Sequence, residues 1–82
     1  MSYSVLIRRG AAHQLAALSS SAFVEVRDLI RSLATDPMPP EAKQIGGKDG
    51  WRVSAGHCRV IYELDARAGR LTVLDVGRRS DA

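Results

Sequence analysis

Cysteine occurs once in the 82 residues, at position 58. An intramolecular disulfide is therefore excluded, a cysteine-built metal site goes with it, and a reducing cytoplasm is the expected compartment. No apolar run approaches the ~20 residues of a membrane span, so no membrane partner is expected. The opening MSYSVLIRRG sets its short apolar run ahead of its arginines, the reverse of a secretory signal. Phosphate-binding glycine loops, zinc-ligand spacings and a Ser/His/Asp set are all missing, and neither a cofactor nor a metal is expected. Internal repeats, low-complexity tracts and linkers are missing too, which leaves residues 1–82 as one domain.

The chain is 45% hydrophobic and 26% charged, the balance of a folded soluble domain. A chain this short buries only about 60% of its unfolded surface, enough for one core. Its formal net charge of +3 suits a polyanionic or acidic partner, either nucleic acid or an acidic protein.

Tyr3 to Ile7 reads as a first strand, ended by Arg8, Arg9 and Gly10. Ala11, Leu15 and Leu18 then fall on one helical face, with His13 and Gln14 toward solvent. Ser19, Ser20 and Ser21 interrupt, and any of them can cap a second helix. That helix carries Phe23, Val26, Leu29, Ile30 and Leu33 on its apolar face and Glu25, Arg27, Asp28 and Arg31 on the other. Asp36-Pro37 stops it. The segment through Gly50 holds all three prolines and the Gly46-Gly47 pair, and is expected to be a loop.

Beyond Gly50 the period becomes two. Trp51, Val53 and Ala55, then Cys58, Val60, Tyr62 and Leu64, alternate with more polar residues, and Gly56-His57 suits a type II′ hairpin turn. A third strand runs from Arg70 to Val76 after a loop at Asp65 to Gly69. The expected fold is α+β: an N-terminal strand, a two-helix hairpin and a three-stranded antiparallel meander, with the helices packed on one sheet face.

That hairpin register pairs Ala55 with Cys58, Ser54 with Arg59, Val53 with Val60, Arg52 with Ile61 and Trp51 with Tyr62. Trp51, Val53, Ala55, Cys58, Val60 and Tyr62 then face the core, which makes Cys58 a small apolar residue and takes both aromatics out of base stacking. Arg52, Ser54, Arg59, Ile61 and Glu63 share the uncovered face. A five-residue loop would set Asp75 opposite Arg59, with Gly77 and Arg79 on the same side. Arginines converging there can grip a phosphate through a two-point fork that never loses its charge. The plainer alternative is solvated surface, with Arg59 and Asp75 a modest ion pair. His57, in the turn, is either a proton donor beside a bound phosphate or exposed surface.

Trp51-Arg52-Val53, Gly56-His57-Cys58-Arg59-Val60-Ile61-Tyr62 and Val73-Leu74-Asp75-Val76-Gly77-Arg78-Arg79 resemble the C-terminal half of RelE toxins. There an aromatic-basic-Val strand precedes a G-x-Y-R-[VL]-[IV]-Y strand and a V-G-[HK]-R close. Lys43 to Gly46 is similar to the family's K-L-x-G. The resemblance implies a RelE-like fold and the toxin of a type II toxin–antitoxin system, a ribosome-dependent mRNA endoribonuclease that inhibits translation. It implies that a ribose 2′-OH attacks the adjacent phosphate, with Arg59, Arg79 and Arg52 on the phosphate; His57 is the candidate substitute acid where the chain departs from the pattern. Lys43, Lys48, Arg78 and Ser54 would contact RNA. The implied partners are a cognate antitoxin that neutralises the toxin, mRNA in the ribosomal A site, and operator DNA only through the antitoxin complex.

The chain departs from the pattern in four places, one of them Ile45, at a loop position that is often basic. The tyrosine of active members, a few residues beyond the V-G-x-R arginine, has no counterpart before Ala82, as expected of a domain lacking the usual C-terminal tail. Cys58 stands where the pattern has tyrosine, and Ser54 where a second basic residue is usual. Two alternatives stay open: a ParE-like DNA gyrase inhibitor, which shares the R-[VI]-x-Y strand, and an inactive toxin-fold binding or co-repressor module.

Overall fold

The computed structural model describes residues 2–46 and 49–78. Chain order is β1 (Ser4–Ile7), α1 (Arg9–Ala16), α2 (Ser20–Thr35), β2 (Lys43–Ile45), β3 (Gly50–Ala55), β4 (Cys58–Asp65) and β5 (Arg70–Arg78). The strands form one sheet in the order β1-β5-β4-β3-β2. β1 runs parallel to β5, and the other neighbours are antiparallel. The sheet is thus mixed and five-stranded. The meander is present, extended by β1 at one edge and β2 at the other.

Ser19 is the residue that caps α2, its Oγ accepting the Ala22 N–H at 3.4 Å. The stripe of α2 buries Val26, Ile30 and Leu33, while Phe23 lies at its rim, 36% exposed. Ala11, with Leu15 and Leu18 partly buried, seats α1 on the same core. From the sheet come Val53, Cys58, Val60, Tyr62, Leu71, Val73 and Val76. Both helices therefore cover one sheet face, because each has one apolar stripe and the strands offer one apolar side.

The hairpin register is the expected one at every pair from Ala55↔Cys58 to Trp51↔Tyr62. Gly56 has φ +59 and no non-glycine residue among those described has positive φ, the sign pattern of a II′ turn.

The β4–β5 register corrects the sequence expectation. Asp65 pairs with Arg70, so the loop has four residues rather than five, and Arg59 lies opposite Gly77 while Asp75 lies opposite Ile61. Between Tyr62↔Val73 and Ile61↔Asp75 the register shifts, leaving Leu74 as the extra residue of a β-bulge. Its consequence is large. With strict alternation Val73 and Val76 would point to opposite faces; the bulge lets both be buried and turns Asp75 and Gly77 to the uncovered side.

Tyr62 is fully buried, and its hydroxyl donates to the Pro37 carbonyl at 2.7 Å, tying β4 to the segment after α2. Burial first, then the nearby Asp36 and Glu41 carboxylates, push its pKa up from 10.0 to about 12. The folded state thus holds this proton after the unfolded chain has lost it, so stability is complete below pH 10 and falls as pH rises from there through 12. The loss attributable to this group is roughly 2–3 kcal/mol. Urea unfolding of Tyr62→Phe should show a variant about 1 kcal/mol less stable at pH 8, from the lost hydrogen bond. The deficit should shrink or reverse near pH 12; an unchanged gap would contradict this assignment.

Candidate functional site

Alternation along β2, β3 and β4, with the bulge in β5, sorts the polar side chains by face. On the face without helices, Lys43, Arg52, Ile61 and Asp75 form one row across four strands. Ser54, Arg59 and Gly77 form the next. Directly opposed residues stand about 4.5–5.5 Å apart, so three cations share a small area. β2 accounts for Lys43, which the sequence placed in a loop; as a strand residue it lies opposite Arg52.

Arg59 is the best-fixed of the three. Its side chain is 35% exposed, and its Nη2 lies 4.0 Å from Asp75 Oδ2. Its Nε is buried and has no hydrogen-bond partner among the described residues. A buried donor without a partner is uncommon and costly, and a guanidinium has five N–H groups to satisfy. Ser54 on one side and Gly77 on the other place nothing bulky beside it, and a methyl group at Gly77 would sit 3.4 Å from Asp75 Oδ2. The result is a partly exposed cationic fork, 4.0 Å from a carboxylate on one edge, whose buried Nε is unpaired. An anion with several acceptor oxygens is its chemical complement.

Asp75 is itself held from the other side. Gln14 Nε2 donates to Asp75 Oδ1 at 2.9 Å, and Gln14 Oε1 accepts the Val76 N–H at 2.8 Å. Gln14 is therefore half-buried on β5 instead of facing solvent, a correction to the sequence reading. Helical periodicity carries no signal for this contact. The missed clue was strand length: β1 has four residues and β5 nine, so the second half of β5 has an unpaired edge whose N–H groups need partners.

The remaining candidates do not join this cluster. His57 is exposed at the hairpin tip and lines a hollow of about 280 Å³ on the helix side, with Glu25, Cys58 and Arg78. Arg78 pairs with Cys58 and so belongs to that side, away from Arg59. Neither is brought to the open face beside Arg59. Cys58 and Tyr62 are buried, as the hairpin register implied, and Trp51 is half-buried against the core. Lys48 and Arg79 lie outside the described residues. Among the described residues no group of three or more His, Cys, Asp or Glu side chains can hold a metal ion, and no helix is long and apolar enough to cross a membrane.

A sequence model of the family described as "ParE toxin of type II toxin-antitoxin system, parDE" matches residues 5–82. The chain belongs to this family. It is a toxin of the RelE/ParE superfamily of type II toxin–antitoxin systems. No curated protein matches it by sequence. Among solved structures, this toxin is similar to the RelBE2 toxin–antitoxin complex of Mycobacterium tuberculosis, with a TM-score of 0.85 and 20% identity over 96% of this chain and 100% of that one. The RelE–RelB complex of Pyrococcus horikoshii gives 0.85 and 24% over 100% of both chains. The isolated Escherichia coli RelE toxin gives 0.86 and 16% over 98% of this chain and 87% of that one. At these identities the likenesses establish a shared RelE-like fold, and two of the three describe the toxin with its antitoxin.

Proposed function

We propose that this toxin is a ribosome-dependent endoribonuclease that cuts mRNA in the A site and is neutralised by a cognate antitoxin. The observation that carries the reading is the Arg59 guanidinium, partly exposed on the uncovered face beside Asp75, with Arg52 and Lys43 in the neighbouring row. In the proposed reaction the ribose 2′-oxygen bonds to the adjacent phosphorus and the P–O5′ bond breaks. The 2′-hydroxyl proton passes to water, and O5′ gains one as it leaves. Arg59 and Arg52 hold the phosphate and oppose the extra negative charge of the pentacoordinate state, where preorganised charge is most effective. Lys43 is the nearby cation that can surrender a proton, since arginine stays protonated, and it is assigned to O5′. Arg79 completes the arginine set by resemblance, with Lys48 and Ser54 as contacts along the RNA, while Arg78, turned to the helix side, is left out. His57, on the helix side, is left out of the chemistry. Operator DNA is reached only through the antitoxin complex.

The second reading, inhibition of DNA gyrase, is favoured by the family description, which names ParE. The purified chain supplied to programmed ribosomes, with messenger ends mapped by primer extension, tests the first reading. Gyrase supercoiling in parallel tests the second. Cleavage within A-site codons with supercoiling intact supports the nuclease; blocked supercoiling without cleavage supports the gyrase poison. Silence in both by a folded chain fits a binding module.

A further inference from the structure

We propose that Gln14 is a positioning residue for the Arg59 phosphate site, its one amide group fastening both the free edge of β5 and the Asp75 carboxylate that orients the guanidinium. The catalytic part of this inference rests on the ribonuclease reading. The structural part stands alone.

β1 pairs with β5 only as far as Ile7↔Val73, and the last bond of that edge is Arg8 N–H to Val73 O at 3.1 Å. Past that point β5 bulges at Leu74 and runs on with no strand beside it on that side among the described residues. Gln14, on α1 directly after β1, fills the gap. Because its oxygen must accept from the Val76 N–H, its NH₂ end is forced toward Asp75, so the amide orientation is fixed by the backbone. Asp75 Oδ1 is thereby occupied, and only Oδ2 is turned to Arg59.

Two consequences follow from that geometry. Asp75 stands 4.0 Å from one terminal nitrogen of the fork and does not close a two-point bridge, so the buried Nε is left unpaired by it. Without Gln14, the carboxylate is free to rotate and take Arg59 in a bidentate pair, the arrangement these two groups prefer. The ligand's donors would then be consumed inside the protein. Gln14 so keeps a basic site open while holding the bulged strand in register.

The test uses the full chain. The ¹⁵N resonance of the Arg59 Nε–H is assigned by its loss in Arg59→Ala, then followed in Gln14→Met and Gln14→Glu. The glutamate keeps an acceptor for the Val76 N–H but sets a second carboxylate against Asp75, so an effect shared by both variants separates the role toward Asp75 from edge support. Both are expected to move the Nε–H resonance and change its exchange with solvent; an unmoved signal in both would overturn the proposal. In the cleavage assay Gln14→Met should lower kcat roughly tenfold with KM nearly unchanged, and should cause no further loss in an Arg59→Ala background. Equal losses in both backgrounds would overturn the route through Arg59. If Arg59→Ala itself cleaves like wild type, the nuclease reading fails, and the resonance data still decide the clamp.

Discussion

Replacing Arg59 by alanine is expected to lower messenger cleavage by ~10²-fold or more, the scale of losing one preorganised donor to a developing anion. The fold should survive, because the side chain projects from the uncovered face and its one ion pair is partly exposed and worth little. Arg59→Lys is the sharper companion. It keeps the charge but removes the planar fork and Nε, and should recover only a minor part of the rate. Initial cleavage rates on programmed ribosomes, with thermal unfolding of each variant, check both. An alanine variant within about twofold of wild type would remove Arg59 from the reaction, since even a modest general contribution exceeds that.

The second large effect concerns stability. Leu33 is wholly buried beneath α2 and Phe23, on the same helix, is 36% exposed. Leu33→Ala should cost about 2–5 kcal/mol, by lost burial and the cavity left behind. In a domain whose total stability is about 5–15 kcal/mol, that is a large share. At roughly 4–8 °C per kcal/mol for a domain of this size, Tm should fall by about 8 °C or more. Phe23→Ala, at the rim, should cost well under half as much. Comparable losses at both positions in calorimetry or urea unfolding would mean that α2 packs in another rotation.

How legible the site was depends on what sets each register. The β3–β4 hairpin was fully readable because a two-residue turn at Gly56-His57 leaves one pairing, and that pairing alone places Arg52, Ser54 and Arg59 on one face. The β5 strand was not, because a bulge inserts a residue that no alternation rule announces in advance. The trace it left was the spacing of Val73 and Val76, two buried residues three apart in a strand. Asp75 does meet Arg59, though diagonally and not as the directly opposed pair that the sequence suggests. The same alternation that puts Gly77 on the open face turns Arg78 away from it. β2 escaped because three residues are too few to display a period. Gln14 escaped because its role is set by a mismatch in strand lengths, a tertiary fact with no local signature.

The chemistry is tested most directly by removing one oxygen from the RNA. A messenger carrying a single 2′-deoxy nucleotide immediately 5′ of the mapped cut, placed in the A site and treated with wild-type protein, is compared with its all-ribose twin. The ribose messenger is expected to be cut to leave a 2′,3′-cyclic phosphate and a 5′-hydroxyl, and the deoxy messenger to stay intact at that position. Cutting of the deoxy messenger at the same bond, or no cutting of either, would contradict that chemistry.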